Sequence, residues 1–294
     1  MKFKPLNINI MNSSIEIKNL VREKYGTIAN KSTEENQSGC CSSTGCCGDE
    51  VYNIMAEEYN KLEGYNPEAD LGLGCGLPTE FAKIKEGDVV IDLGSGAGND
   101  AFVARQIVGD AGKVIGVDFT EQMINKARAN NEKLGFANVE FRLGDIESMP
   151  VSSNVADVVV SNCVLNLVPN KHLAFSEMFR VLKPGGHFSI SDIVLTGELP
   201  PKLKEAAEMY VGCVSGAVLK KDYLSIIEEA GFKNIVIQKE KSISIPDSIL
   251  LNYLKEEELQ LLKQSGTSIS SITVYAEKVA KDARNCCEPG SGCC

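Results

Sequence analysis

The stretch Val89-Val90-Ile91-Asp92-Leu93-Gly94-Ser95-Gly96-Ala97-Gly98-Asn99-Asp100 constrains this chain more than any other. A short apolar run enters a glycine-rich turn, and a helix opens after Asn99. The glycines let the backbone approach a nucleotide-type ligand closely. From Gly87 onward the same alternation repeats. Strands are predicted at Val89–Leu93, Lys113–Val117, Val139–Leu143, Asp157–Ser161 and His187–Ser191. Between them come helices after Asn99, over Glu121–Leu134, and through Phe175, Met178 and Leu182. Pro184-Gly185-Gly186 is expected to stop the last of these. A further helix is predicted over Asp222–Ala230, ended by Gly231, and two last strands over Asn234–Lys239 and Ser271–Ala276, on either side of the helix-prone Ile249–Leu262. This pattern predicts an α/β fold: a doubly wound, seven-stranded sheet, mostly parallel with an antiparallel edge. In such a sheet ligands bind at the carboxyl ends of the strands.

Composition removes several function classes. At 294 residues the chain is long enough for one large domain, or for a core with an accessory part. Hydrophobic residues make up 43% and charged residues 24%, as in a globular protein with a sizeable core. The formal net charge of −10, with no Lys/Arg-rich block, argues against nucleic acid as a partner. Apolar runs such as Val155–Val160 fall far short of the ~20 residues of a membrane span. The N-terminal residues form no continuous signal-peptide core. The expectation is a soluble cytoplasmic protein without nucleic-acid or membrane partners. Eleven cysteines in a long, well-patterned chain then point to soft-metal binding or redox chemistry, not to a disulfide scaffold. His172 and His187 lack ligand spacing to any cysteine and are read as surface or second-layer residues.

Outside the alternating core, Ile17, Leu20, Val21, Tyr25 and Ile28 give a helix over Ile15–Ala29, and a second helix is expected through Ala56, Tyr59 and Leu62. Residues 30–49 are polar and glycine-bearing and include Cys40-Cys41 and Cys46-Cys47; they read as a flexible segment. Leu203, Ala206, Ala207, Tyr210, Val211 and Val214 make a helical stripe with Cys213 beside it. The tail from Cys286 to Cys294 has no core-forming residues and is expected to be mobile. The predicted organisation is 1–50, an N-terminal helix and Cys-rich segment; 51–195, the cofactor-binding core; 196–280, a cover and the last strands; and 281–294, a mobile Cys-rich tail.

The turn reads G-x-G-x-G, with Asn99 where a dinucleotide fingerprint would place its third glycine. Asp118 ends the second strand 24 residues after Gly94, near the ~20 expected of an acidic group holding ribose hydroxyls. Asp145 and Ile146 follow the third strand, where one could accept from an adenine amine and the other cover a ring face. Together with Leu182-Lys183-Pro184-Gly185-Gly186, these features resemble the S-adenosylmethionine-dependent methyltransferases with a Rossmann-like core. That resemblance implies a cofactor site built from Asp92, Gly94, Ser95, Gly96, Asp118, Phe119, Met123, Asp145, Ile146, Glu147 and Asn162. A positive sulfonium without phosphate also suits an acidic site that lacks lysines.

Eight cysteines form four adjacent doublets, leaving Cys75, Cys163 and Cys213 alone. Taken singly, each would be a small buried hydrophobe. Jointly, with Cys163 at a strand end and Cys75 among glycines, they suggest a soft, thiol-seeking substrate. The segments Val21-Arg22-Glu23-Lys24-Tyr25-Gly26, Leu71-Gly72-Leu73-Gly74-Cys75-Gly76-Leu77-Pro78, Ser161-Asn162-Cys163-Val164-Leu165-Asn166-Leu167 and Val211-Gly212-Cys213-Val214-Ser215-Gly216-Ala217 resemble the arsenite methyltransferases over most of the chain. The resemblance implies Cys75, Cys163 and Cys213 as arsenic ligands. It also implies a further N-terminal cysteine, Cys47 or its neighbour Cys46, that closes a disulfide with Cys75. A thioredoxin-like partner or small thiols would then reduce the enzyme.

Trivalent arsenic (arsenite or methylarsenite) is soft and prefers thiolates. Held by three of them, it keeps a lone pair that can attack the sulfonium methyl in line, with no base required. Two rival functions remain open: methylation of a small organic molecule such as a quinone precursor, and metalloid sequestration without turnover. The terminal doublets either capture arsenite or form a bland tail.

Overall fold

The computed structural model describes residues 14–30, 59–204 and 216–280. Cys47, Cys213, the cysteine doublets and most of the Leu203–Val214 stripe lie outside the described residues. The ordered elements are α1 (Ser14–Asn30), α2 (Pro78–Phe81), β1 (Val89–Leu93), α3 (Asn99–Val108), β2 (Lys113–Asp118), α4 (Glu121–Leu134), β3 (Val139–Leu143) and β4 (Ala156–Asn162). Then follow α5 (Lys171–Val181), β5 (Leu182–Leu195), α6 (Pro201–Lys204), α7 (Lys220–Glu229), β6 (Lys233–Ile243), α8 (Asp247–Leu250), α9 (Glu256–Gln264) and β7 (Ile269–Glu277). Single 3₁₀ turns lie at Tyr59–Lys61 and Leu165–Leu167.

All seven strands join one sheet in the order β3-β2-β1-β4-β5-β7-β6. The pairs from β3 to β5 are parallel, and β7 runs antiparallel to both β5 and β6. The antiparallel edge expected from the sequence is therefore built by β7, which lies inside the outermost strand β6. Central strands read as unbroken apolar runs because both faces are covered. On one face Ile91, Leu93, Ile115 and Val159 pack with Phe175, Phe188 and Phe232. On the other, Val90, Val114, Val158 and Val160 pack against Ala101, Phe102 and Ala104 of α3. Each of these large side chains, buried fully, contributes about 1.5–3 kcal/mol.

A third apolar cluster sits at the carboxyl end of the sheet. It joins Val21 of α1, Cys75, Cys163 and Leu199 to Ile243, Ile249, Leu254 and Leu259 from the C-terminal elements. Strand order reverses between β1 and β4, with β2 and β5 on the outside, so the crevice there is the topological switch point. The Gly94 turn leaves one lip of that crevice and Cys163 leaves the other.

Three local expectations need correction. The helix before Pro184 ends at Val181, because β5 begins at Leu182 and takes in the Pro-Gly-Gly run. A register shift between Ala156 and Val158 absorbs those residues, and β5 reaches Leu195 because β7 pairs along it. Ile249–Leu262 is not one helix but the end of α8 and most of α9. Among the described residues, the expected helix through Tyr59 and Leu62 is only a 3₁₀ turn, and Ala56 lies outside them.

Candidate functional site

The switch point holds a cleft that is partly open to solvent, where sheets of this topology bind their ligands. Its floor is the Gly94–Gly98 turn. Gly94 and Gly96 have φ of +64° and +50°, and Gly98, at +101°, sits at the N-terminus of α3. A side chain at Gly94 would strike Val164, whereas one at Gly96 would meet only Met123 Sδ, at 3.9 Å. The first glycine thus serves backbone packing against the Cys163 turn. The second leaves open space toward the cleft.

Asp118, at the end of β2, holds this floor in place. Its Oδ2 accepts from the Gly96 N–H at 3.0 Å, and its Oδ1 accepts from the Thr120 N–H at 2.8 Å. Burial raises its pKa, against the lowering effect of those N–H groups. Asp92 is 2% exposed, its Oδ2 has no hydrogen-bond partner, and burial beside Asp100 and Asp118 pushes it well above the carboxylate range. Asp100 is raised to about 6 by burial, with hydrogen bonds from Tyr59 and Asn162 opposing the rise. Its Oδ1 and Ser95 Oγ are buried and unpartnered as well. Clustered carboxylates with orphaned oxygens favour a ligand that brings positive charge and donors.

Asp92, Gly94, Ser95, Gly96 and Asp118 all line this cleft, as do Phe119, Met123, Asp145, Ile146, Asn162 and Cys163. Glu147 does not. Its carboxylate accepts from the Asn170 N–H at 2.6 Å and pairs with Lys18. Lys18, on α1, also meets Asp145 Oδ2 at 2.6 Å and lines the cleft itself, so the expectation of a site without lysines is corrected. Burial alone would lower the Lys18 pKa, but Asp145 and Glu147 outweigh it and hold the ammonium charged. Arg22, one turn further along α1, lies 5.3 Å over the Phe119 ring. The N-terminal helix is thereby fastened across the cleft wall.

The two described cysteines expected at the site, Cys75 and Cys163, are buried in one apolar cluster beside this wall. Cys163 follows β4 with φ +60°, a left-handed conformation uncommon for a residue other than glycine and often found at functional sites. Its N–H donates to Ser191 O at 2.8 Å. Asn166 fixes the same turn by donating to Asp192 Oδ1 at 2.9 Å and to Ile193 O at 2.6 Å. Cys75 is fully buried in the cluster that contains Cys163, and it does not line the cleft. Its N–H donates to Asn162 Oδ1 at 3.0 Å, and its carbonyl accepts from Ser271 Oγ at 2.5 Å. Both flanking glycines are sterically required. A Cβ on Gly74 would lie 2.6 Å from Asn162 Nδ2, and one on Gly76 would lie 2.6 Å from Ser191 Cβ. Behind them Tyr223 is pushed well above its ordinary value by burial, then by Asp192 and by the nearby Cys75 and Cys163.

Among the described residues, no group of three or more His, Cys, Asp or Glu is placed to hold a metal ion, and Cys213, the third cysteine expected at the site, lies outside them. Among the same residues, no helix is long and apolar enough to cross a membrane. Sequence reasoning missed Lys18, Tyr59, Asp100 and Asn166. Asp100 carried a signal, being an acid in the first turn after the glycine loop. Lys18 and Tyr59 reach the site only through tertiary packing.

Comparison with known proteins agrees with this geometry. A family described as a methyltransferase domain matches residues 84–231. An arsenite methyltransferase of Halobacterium salinarum is 38% identical over 283 residues, covering 91% of this chain and 68% of that protein. The human arsenite methyltransferase is 32% identical over 74% of this chain and 58% of its own length. The crystal structure of an arsenic(III) S-adenosylmethionine methyltransferase from Chlamydomonas reinhardtii matches with a TM-score of 0.60 and 33% identity, over 70% of this chain and 68% of that one. The chain belongs to the arsenite methyltransferase family of S-adenosylmethionine-dependent methyltransferases.

Proposed function

We propose that this protein transfers a methyl group from S-adenosylmethionine to trivalent arsenic, as arsenite or methylarsenite, held by the thiolates of Cys75, Cys163 and Cys213. One observation carries the reading. Cys75 and Cys163 leave separate loops and are buried in one apolar cluster, with Cys163 also on the wall of the acidic, glycine-floored cleft. S-Adenosylmethionine, when bound, supplies an electrophilic methyl on a positively charged sulfur. The orphaned oxygens of Asp92 and Asp100 and the open space above Gly96 suit such a cation. In this reading Ser95 and the Gly94–Gly96 backbone floor the site, and Asp118 faces ribose hydroxyls. Ile146, Phe119 and Met123 supply apolar wall, while Asp145 accepts from the adenine amine once Lys18 shares or yields it. Glu147 acts through Lys18, and Asn162 joins the cofactor wall to the Cys75 loop.

Three thiolates leave arsenic its lone pair, so no side chain has to remove a proton from the nucleophile. The chain contributes positioning and exclusion of water. Gain of a methyl cation oxidises arsenic by two electrons. Two enzyme thiolates return them by forming a disulfide, in which Cys47 or Cys46 joins Cys75. A thioredoxin-like protein or small thiols then reduce it, which fits a reducing compartment such as the cytoplasm. Serine at both Cys46 and Cys47 should confine the protein to few turnovers; undiminished multiple turnover would remove this pairing.

The test of function uses purified protein, arsenite, methyl-labelled cofactor and a thiol reductant. Labelled methylarsenicals support the proposal. Tight arsenic binding without label transfer would mean sequestration, and neither result would mean an organic acceptor.

A further inference from the structure

Tyr59 is buried at the junction of two sites and belongs to neither by sequence motif. Its hydroxyl lies 2.8 Å from Asp100 Oδ2 and 3.1 Å from Gly76 O. Asn162 Nδ2 donates to the Tyr59 oxygen and to Gly76 O at 2.8 Å, and is 3.3 Å from Asp100 Oδ2. On its other side, Asn162 Oδ1 accepts from the Cys75 N–H. An unbroken chain of short contacts therefore runs from a carboxylate on the cofactor cleft to the backbone on both sides of the Cys75 thiol. At its far end Asp100 lines the cofactor cleft, where a ligand can reach its carboxylate.

The hydrogen count gives this chain two settings. A phenol carries one hydrogen and an amide two. In one setting Tyr59 donates to Asp100, while Asn162 serves the Tyr59 oxygen and Gly76 O. In the other Tyr59 donates to Gly76 O, and Asn162 turns one hydrogen to Asp100. Cation in the cleft weakens the pull of Asp100 on the phenol hydrogen and favours the second setting, in which the Gly76 carbonyl beside Cys75 is held by Tyr59 and no longer by Asn162 alone.

We propose that Tyr59 is a positioning residue that couples occupancy of the cofactor cleft to placement of the Cys75 thiol, through Asp100 and Asn162. This rests on the assignments above of the cleft to the cofactor and of Cys75 to arsenic. The coupling favours arsenic capture when the methyl donor is already in place. Being a linkage between two equilibria, it acts equally in the reverse direction.

The experiment titrates arsenite into the full-length protein by calorimetry, with and without saturating sinefungin, a cationic cofactor analogue with no transferable methyl. In the wild type sinefungin should tighten arsenite binding about tenfold, inside the ~5–150-fold range of typical site coupling. In Tyr59→Phe the tightening should fall below about twofold, whatever the two affinities measured alone become. Asp100→Asn provides a second reading if Tyr59→Phe fails to fold, because the ratio of the two arsenite affinities is independent of how far cofactor affinity itself changes. That ratio should also approach one. Full tightening in a folded variant, or none in the wild type, overturns the relay alone. A wild type that binds no arsenite overturns the site assignment and the relay with it.

Discussion

Replacing Gly76 by alanine tests how tightly the Cys75 thiol is placed, because it leaves every proposed reacting atom intact. The added Cβ would lie 2.6 Å from Ser191 Cβ, where ordinary contact begins at 3.4 Å. Ser191 cannot step aside easily: it is fully buried, its hydroxyl pairs with Thr273 Oγ1 at 2.9 Å, and its carbonyl accepts the Cys163 N–H. The Cys75 loop must therefore move by about 1 Å, and overpacking of this kind costs about 1–3 kcal/mol. A misplacement of ~1 Å can cost on the order of a hundredfold in rate. Gly76→Ala should thus lower arsenite-dependent methyl transfer by about one to two orders of magnitude. S-Adenosylhomocysteine affinity should fall by less than the rate, because Gly76 itself does not line the cofactor cleft. Ser191→Gly in the same chain should restore part of the rate. Single-turnover label transfer, calorimetry and thermal melting give the three readouts. A folded Gly76→Ala protein with wild-type rate and arsenite affinity would refute the argument that the glycines flanking Cys75 set its position.

Three further outcomes follow from the structure. Lys18→Ala removes two partly exposed ion pairs worth ~0.2–1 kcal/mol each, so S-adenosylhomocysteine dissociation should quicken by up to about thirtyfold and amide exchange in α1 should rise; unchanged kinetics would mean that α1 does not hold the cleft. Burial raises Asp192 from 3.8 to about 7, so the folded state binds its proton more tightly. That contribution to stability is complete below about pH 4 and is lost as pH rises through about 7, at ~1.4 kcal/mol per unit within the window. Asp192→Asn should therefore melt with a shallower decline between pH 5 and 7 than the wild type, and parallel curves would refute it. Deletion after Ala283 should raise the arsenite concentration for half-maximal rate at unchanged cofactor affinity if the terminal doublets capture substrate; an unchanged value would leave the tail without that role.

The elements most legible in the sequence were those whose local signals agree with their burial. α4 ends where Gly135 takes a left-handed turn, and β3 is bounded as its apolar run predicts. The first residues of β5 were not legible, because Pro184, Gly185 and Gly186 argue for a break and only pairing beside β4 makes them strand. For the same reason the β7 edge was visible as two late strands, but their order was not. The cofactor floor could be read because each member sits at a strand end. Cys75 and Cys163 could be singled out by type and neighbours, yet the reason for the glycines around Cys75 appears only when Asn162 and Ser191 close on them. Lys18 and Tyr59 carry no local signature at all. Each is an ordinary residue on an irregular or amphipathic segment, and its role comes from what lies opposite.

X-ray absorption at the arsenic edge of arsenite-loaded protein tests the central claim most directly. Three sulfur neighbours and no oxygen are predicted for the wild type, changing to two sulfurs and one oxygen in Cys163→Ser and likewise in Cys213→Ser. Arsenic with oxygen neighbours alone, or a three-sulfur shell that survives both substitutions, would contradict the account.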